Sequence, residues 1–250
     1  MRQSLTALLV ALPALAVAGC DVEAMGPQSR QHVSESRRLD KGGTFTLQNT
    51  NGAVEVEAWD RDSISIEAEK VGPEGRLDEI QIEIKGEGSR VDVSTHFPHV
   101  TFGSNGHVDY RVKVPASAHV ELETTNGRLR ASGTQASLRA ETTNGGVEIG
   151  DAAGSVEAST TNGSIRVTFR DAPETGAQRF ETTNGSITLT LPADVSGEFE
   201  ARTVNGGIST DFPLDVSGRH GKHLQGHVGT GGPRYDLSTT NGGIRILKGA

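Results

Sequence analysis

The stretch Thr142-Thr143-Asn144-Gly145 is one copy of a motif that recurs along this chain at nearly constant spacing. The steps between successive motif asparagines are 18, 18, 22, 21 and 36 residues, and the last step equals two steps of 18. A fixed period of about 20 residues is typical of stacked or bladed architectures, in which each repeat buries one face against the next. The Asn-Gly pairs of the series are Asn126-Gly127, Asn144-Gly145, Asn162-Gly163, Asn184-Gly185, Asn205-Gly206 and Asn241-Gly242, and two earlier pairs outside the regular spacing are Asn51-Gly52 and Asn105-Gly106.

Apolar and polar residues alternate along the chain, as in Ile80, Ile82 and Ile84. Alternation with a period of two predicts half-buried strands, and no segment after the leader shows a helical period. Two positions of the repeat are apolar in every copy, so we expect them to face the interior, and the first threonine shares their parity. They are occupied by Leu122, Ala140, Ala158, Phe180, Ala201 and Leu237, two residues before that threonine, and by Leu129, Val147, Ile165, Ile187, Ile208 and Ile244, five residues after it.

The Asn-Gly pairs mark the places where the chain turns, because both residues tolerate positive φ and the asparagine side chain bonds to local backbone. Asn-Gly is also the strongest two-residue hairpin signal. Two all-β architectures are therefore open: an antiparallel meander, and a solenoid whose coils turn at Asn-Gly. In a solenoid, identical asparagine amides would stack into a hydrogen-bonded ladder; an asparagine-lined recognition strip is the alternative role.

The order of charges favours the solenoid. Stacked coils lie about 4.8 Å apart, so residues at the same position of successive repeats become neighbours. A hairpin would instead oppose the like charges of Glu141 and Glu148. The sign alternates at two positions, which read Glu121, Arg139, Glu157, Arg179, Glu200 and Arg130, Glu148, Arg166. We predict one β-solenoid over residues 41–250, with coils of about 18–22 residues.

The N-terminus has the features of a bacterial lipoprotein leader. After a short positive start, the apolar segment is too short to span a membrane comfortably and ends in Val17-Ala18-Gly19-Cys20, which resembles a lipobox. Cys20 is the only cysteine of the chain. We expect residues 1–19 to be removed, Cys20 to carry acyl chains, and residues 20–40 to form a flexible tether. Asp21 resembles an inner-membrane retention signal.

Few residues suggest chemistry. The net charge of −8 argues against nucleic acid as a partner, common enzyme motifs are absent, and no cofactor is expected. His220, His223 and His227 have a spacing that would suit a metal on a helix, although a solvated insertion is the simpler interpretation. Their segment falls where the middle coil between the last two motifs is expected. Glu121, Glu141 and Glu157 could supply a glycan-cleaving carboxylate pair, but they alternate with arginines that favour their ionised forms.

Four segments resemble the bacterial "putative adhesin" domain of unknown function. They are 108–115 (VDYRVKVP) with 120–127 (VELETTNG), and 226–233 (GHVGTGGP) with 237–244 (LSTTNGGI). The resemblance implies a β-solenoid in a secreted or membrane-anchored envelope protein. It brings no established catalytic residues.

The sequence thus predicts a lipid-anchored protein of the bacterial cell envelope, on the periplasmic face of the inner or outer membrane. Its solenoid would be a non-catalytic scaffold or contact surface for another envelope protein or a surface polysaccharide. An accessory subunit of an envelope-stress sensor is the alternative, and a polysaccharide-active enzyme is a third hypothesis.

Overall fold

The computed structural model describes residues 28–98, 106–173, 176–219 and 221–249. These residues form strands, with a single short 3-10 turn at Leu77–Glu79. In chain order the strands are β1 (Gln28–Gln48), β2 (Val54–Trp59), β3 (Ser63–Pro73), β4 (Gln81–Lys85), β5 (Gly88–His96), β6 (His107–Pro115), β7 (His119–Asn126), β8 (Leu129–Ser132), β9 (Leu138–Asn144), β10 (Val147–Ala152), β11 (Val156–Asn162), β12 (Ile165–Phe169), β13 (Ala177–Asn184), β14 (Ile187–Leu191), β15 (Gly197–Asn205), β16 (Ile208–Thr210), β17 (Asp215–Arg219), β18 (His223–Val228), β19 (Arg234–Asn241) and β20 (Ile244–Lys248).

Each repeat contributes one strand to each of two sheets and turns between them at its Asn-Gly pair. Sheet 1 has the order β1-β3-β6-β2-β8-β10-β12-β14-β20-β16, and sheet 2 has the order β4-β5-β1-β7-β9-β11-β13-β19-β15-β18-β17. The repeat strands pair in parallel, with Asn144 opposite Asn162 and Asn162 opposite Asn184. The predicted solenoid is therefore confirmed, and the meander is wrong.

The core lies between the two sheets and contains the two apolar positions of the repeat. All their residues are buried except Ile208, which lies on the edge strand β16 and is half-buried. The first threonine also points inward, as its parity predicts, and in Thr160 the hydroxyl group finds a hydrogen-bond partner there. Thr160 donates a hydrogen bond to the Gly145 carbonyl of the neighbouring coil at 2.9 Å, so the methyl group fills the core while the hydroxyl satisfies a backbone acceptor.

The order of the last coils differs from the order expected along the chain. The coil of β19 and β20 lies between the coil of β13 and β14 and the coil of β15 and β16. The expected middle coil between Asn205 and Asn241 does not form. The intervening residues make the hairpin of β17 and β18 instead, and β18 pairs antiparallel with β15. Every coil carries the same motif and can pair with any other, so the spacing alone could not specify this order.

The N-terminal half of β1 corrects the predicted tether. Residues 28–38 pair antiparallel with β3 over their whole length, and Arg30 Nη1 lies 2.8 Å from Glu69 Oε1. This segment looked like a linker because it is an edge strand, and edge strands carry polar and charged side chains. Residues 28–38 thus belong to the folded part, which was expected to begin near residue 41. Cys20, Asp21 and Asn105 lie outside the described residues.

Candidate contact surface

One narrow strip on the outward side of sheet 1 is basic, although the chain as a whole carries a net charge of −8. The strip consists of two positions in the six coils of the regular series: the residue directly after the Asn-Gly pair and the outward residue two places further on. It ends at the adjoining coil of Asn51-Gly52, where the acidic Glu55 lies opposite Arg130. We call it the arginine strip. In spatial order its members are Arg128, Gly146, Ser164, Ser186, Gly243 and Gly207 at the first position, and Arg130, Glu148, Arg166, Thr188, Arg245 and Ser209 at the second. Four arginines and one glutamate give it a formal charge of +3.

Most of these guanidinium groups have no carboxylate partner. Arg130 is paired with Glu148, with 3.1 Å between Nη2 and Oε2. Within the described part of the chain, the side chains of Arg128, Arg166 and Arg245 make no ion pair and are exposed. Because glycine and serine occupy the first position beside them, a shallow depression lies between Arg128, Arg130 and Arg166. The strip therefore presents unneutralised positive charge on a flat surface.

The outward side of sheet 2 has the opposite sign. We call the outward side of β7, β9, β11, β13, β19 and β15 the acidic face, and its formal charge is −4. Its charged members are Glu121, Glu123, Glu141, Glu157, Glu181, Glu198, Glu200 and Asp236, with Arg139, Arg179, Arg202 and Arg234.

Many charges on the acidic face neutralise one another. Arg139 pairs with both Glu141 and Glu157, and Arg234 pairs with both Asp236 and Glu200. The hydrogen bond from Arg234 to Asp236 raises the pKa of that arginine, with further contributions from the charges of nearby carboxylates. The charged groups of the acidic face are thus largely paired with one another, whereas in the arginine strip only Arg130 and Glu148 form such a pair.

The charge alternation predicted from the sequence is present where coil order follows chain order. Arg139 lies opposite Glu157, with 2.9 Å between Nη1 and Oε2, and Glu148 lies opposite both Arg130 and Arg166. The prediction was wrong for Arg179 and Glu200, because the inserted strand β19 places Asp236 between them.

A double-mutant cycle should detect this contact. Arg139→Glu is expected to lower the free energy of unfolding by roughly 0.3–1 kcal/mol, since both partners are about half exposed, and adding Glu157→Arg should recover part of the loss. Urea unfolding of the four proteins measures the coupling energy. The matched control is the same exchange at Arg179 and Glu200, whose coupling should be near zero. Equal coupling for the two pairs would contradict the observed coil order.

The two histidines of the considered metal site that the structure describes, His223 and His227, are too far apart to share a metal ion. His220 lies outside the described residues, and the other two lie on strand β18, not on a helix. Four residues along a strand separate His223 and His227 by about 13 Å, too far for one ion. His223 Nε2 instead lies 3.6 Å from Glu200. In the described part of the chain, no group of three or more His, Cys, Asp or Glu residues could hold a metal ion.

The carboxylates considered for glycan cleavage lie on the acidic face. Glu141 and Glu157 share one guanidinium, that of Arg139, and their side chains are 40% and 46% exposed. Glycoside hydrolysis uses two carboxyl groups that flank the scissile bond from opposite sides, whereas here both carboxylates bind the same guanidinium group on one outward face.

The asparagines form a continuous amide ladder along one corner of the solenoid. Each Nδ2 donates to the Oδ1 of the next asparagine at 2.7–2.9 Å, in the order Asn205, Asn241, Asn184, Asn162, Asn144, Asn126, Asn51. Asn51 belongs to the ladder although its spacing in the sequence is irregular. Because most amide oxygens are used between coils, the corner is occupied by internal bonds and the arginine strip beside it is the better candidate for contact with a ligand.

Sequence reasoning missed the arginine strip because it depends on coil order. Arg245 belongs to the last coil of the chain but lies two coils from Arg166. The one sequence signal for the strip was the repeat position at which the sign of the charge alternates, beginning with Arg130. That signal could be extended to Arg245 only with the spatial order of the coils.

Comparison with known proteins places this architecture in a family. Within the described residues, no helix has the length and apolar character needed to cross a membrane. No match was found among curated proteins. A solved structure of a putative cell adhesion protein from Clostridium sporogenes is similar, with 13% identity, 88% of this chain and 100% of that chain covered, and a TM-score of 0.45. A putative adhesin from Bacteroides fragilis has 12% identity, coverage of 88% and 98%, and a TM-score of 0.31. The family profile described as Toastrack DUF4097 matches residues 21–247, and the chain therefore belongs to the Toastrack DUF4097 family.

Proposed function

We propose that this chain is a lipid-anchored protein of the bacterial cell envelope and that its solenoid is a non-catalytic contact surface. The arginine strip is the part that meets the partner. The observation that carries this proposal is the row of exposed guanidinium groups on a parallel sheet, of which Arg128, Arg166 and Arg245 make no ion pair within the described residues, in a chain that is acidic as a whole. Such unpaired charge can be neutralised by a partner with little conformational change.

The phenol groups of Tyr110 and Tyr235 are buried. Tyr110 is buried and bonds to Thr95 at 2.6 Å, and burial raises the pKa of Tyr110 to about 12. Burial likewise raises the pKa of Tyr235, which stacks on Phe199 with 4.6 Å between ring centroids. Both tyrosines therefore pack in the core and are not part of the outward faces.

The lipobox-like sequence before Cys20 supports the anchor. Residues 21–27 separate that cysteine from β1, and seven residues span at most about 25 Å. An acylated Cys20 would thus keep the solenoid close to the membrane surface, where envelope polymers and membrane proteins are within reach. Cys20→Ala should move the protein from the membrane fraction to the soluble fraction, and unchanged fractionation would overturn the anchor.

Site-specific crosslinking in cells tests the contact surface. A photo-crosslinking amino acid at Thr188, in the arginine strip, is expected to capture a partner. The same amino acid at Ser159, an equally half-buried outward position on the acidic face, should not. Capture only from Ser159, or from neither position, would contradict the proposal. A captured inner-membrane sensor would support the accessory-subunit function, and a captured glycan or envelope protein would support the scaffold function.

A further inference from the structure

The spacing of the arginines in the strip indicates the chemical class of the partner; this inference rests on the proposed contact function. Arg130, Arg166 and Arg245 occupy one position of the repeat in alternate coils. Adjacent coils lie about 4.8 Å apart, so these arginines recur about every 9.6 Å along a straight line. A straight, evenly spaced row of cations fits a linear polymer with evenly spaced anions, and the spacing is comparable with the length of an extended disaccharide.

The composition of the strip favours a carbohydrate chain. Its side chains are exclusively arginine, glutamate, serine and threonine, with glycine at the remaining positions. Arginine binds carboxylate groups with two parallel hydrogen bonds, and serine and threonine hydroxyls can bond to sugar hydroxyls. No side chain projects at Gly146, Gly243 and Gly207, so these positions present no steric obstacle to a polymer that lies along the arginines.

The same composition argues against other anionic partners. Single-stranded nucleic acids stack their bases on aromatic side chains, and the strip has none. Membrane binding by a surface is strengthened by apolar side chains that insert between lipids, and the central anchors of protein interfaces include tryptophan and tyrosine as well as arginine. The strip has arginine but no apolar or aromatic side chain.

We propose that the arginine strip binds a linear acidic polysaccharide with one carboxylate in each disaccharide, and that Arg130, Arg166 and Arg245 contact successive carboxylates. Glu148 limits the affinity, because it pairs with Arg130 and lies opposite Arg166. Removing its charge should therefore strengthen binding, while removing the charge of Arg166 should weaken it.

Binding of the full-length protein in detergent to hyaluronate, which carries one carboxylate in each disaccharide, tests the proposal. Hyaluronate should bind, uncharged dextran should not, and added salt should weaken binding. Arg166→Gln should weaken binding by about tenfold, the loss expected for one charge-assisted hydrogen-bonded contact. Glu148→Gln should strengthen it. Arg139→Gln, the matched change on the acidic face, should leave it unchanged, and circular dichroism of each variant verifies folding.

Three results would overturn the inference: no binding to hyaluronate, equal weakening by Arg166→Gln and Arg139→Gln, or binding only to vesicles of phosphatidylglycerol. Crosslinking and hyaluronate binding together distinguish a wrong polysaccharide from a wrong contact surface. Crosslinking of a protein from Thr188 without any binding to hyaluronate would reject the polysaccharide and keep the contact surface. Crosslinking from neither face would reject the contact surface itself.

Discussion

Gly163→Ala is expected to lower the free energy of unfolding by about 3 kcal/mol, the upper end of the usual cost of overpacking. A Cβ atom at this position would lie well within 3.0 Å of the Gly145 carbonyl oxygen in the neighbouring coil, a separation that Cβ atoms essentially never show. That oxygen is part of the backbone and accepts the hydrogen bond from Thr160. It cannot move without disturbing two coils, so the strain is not relieved by a side-chain rotation.

The matched control is Gly207→Ala. Gly207 follows the Asn-Gly pair of the coil that ends sheet 1, its φ is not in the left-handed region, and a Cβ atom at this position would meet no atom within 4 Å apart from its chain neighbours. Alanine there should leave stability unchanged or raise it by about 0.4–1 kcal/mol through the unfolded state. Urea unfolding with comparison of midpoints and slopes gives both values. Similar values for the two variants would contradict the close stacking of the corners.

Asn162→Ala is expected to lower the free energy of unfolding by about 1–3 kcal/mol, because it removes two amide hydrogen bonds from the middle of the ladder. Asn162 donates to Asn144 at 2.8 Å and accepts from Asn184 at 2.9 Å. Asn205 stands at the end of the ladder and donates one such bond, to Asn241. Asn205→Ala should therefore cost about half as much.

Thr161→Ala is the control for the ladder. Thr161 is the exposed residue beside Asn162, and its replacement should change stability by less than about 0.5 kcal/mol. Thermal unfolding of the three variants tests the order Asn162, Asn205, Thr161 from largest to smallest loss. If Asn162→Ala and Thr161→Ala had equal effects, the amide ladder would contribute nothing to stability.

The local features of the fold could be predicted from the sequence because each depends on one repeat. The period of the motif indicates the length of a coil, and alternation of apolar residues indicates which side chains enter the core. Leu129 and Ile165 are buried as predicted, and the parity of Thr160 correctly places it inward. These properties follow from strand geometry, in which successive side chains point to opposite faces.

The pairing of strands from different repeats could be predicted only in part from the sequence. The alternation of Arg139 with Glu157 correctly predicted parallel stacking, since neighbours in the chain are also neighbours in space for those coils. Residues 28–38 carried no such signal, because an edge strand with polar side chains resembles a linker. Their pairing with β3 becomes visible only in the folded structure.

The sequence by itself determined that this chain forms an all-β solenoid with turns at its Asn-Gly pairs. Only the tertiary structure decided the order of the coils, with Asn241 between Asn184 and Asn205, and hence the row that brings Arg245 into line with Arg166. The physical reason is that backbone hydrogen bonds and stacked identical side chains are the same for every pair of coils. These interactions stabilise the stacking of any two coils, so they do not specify which coil lies beside which.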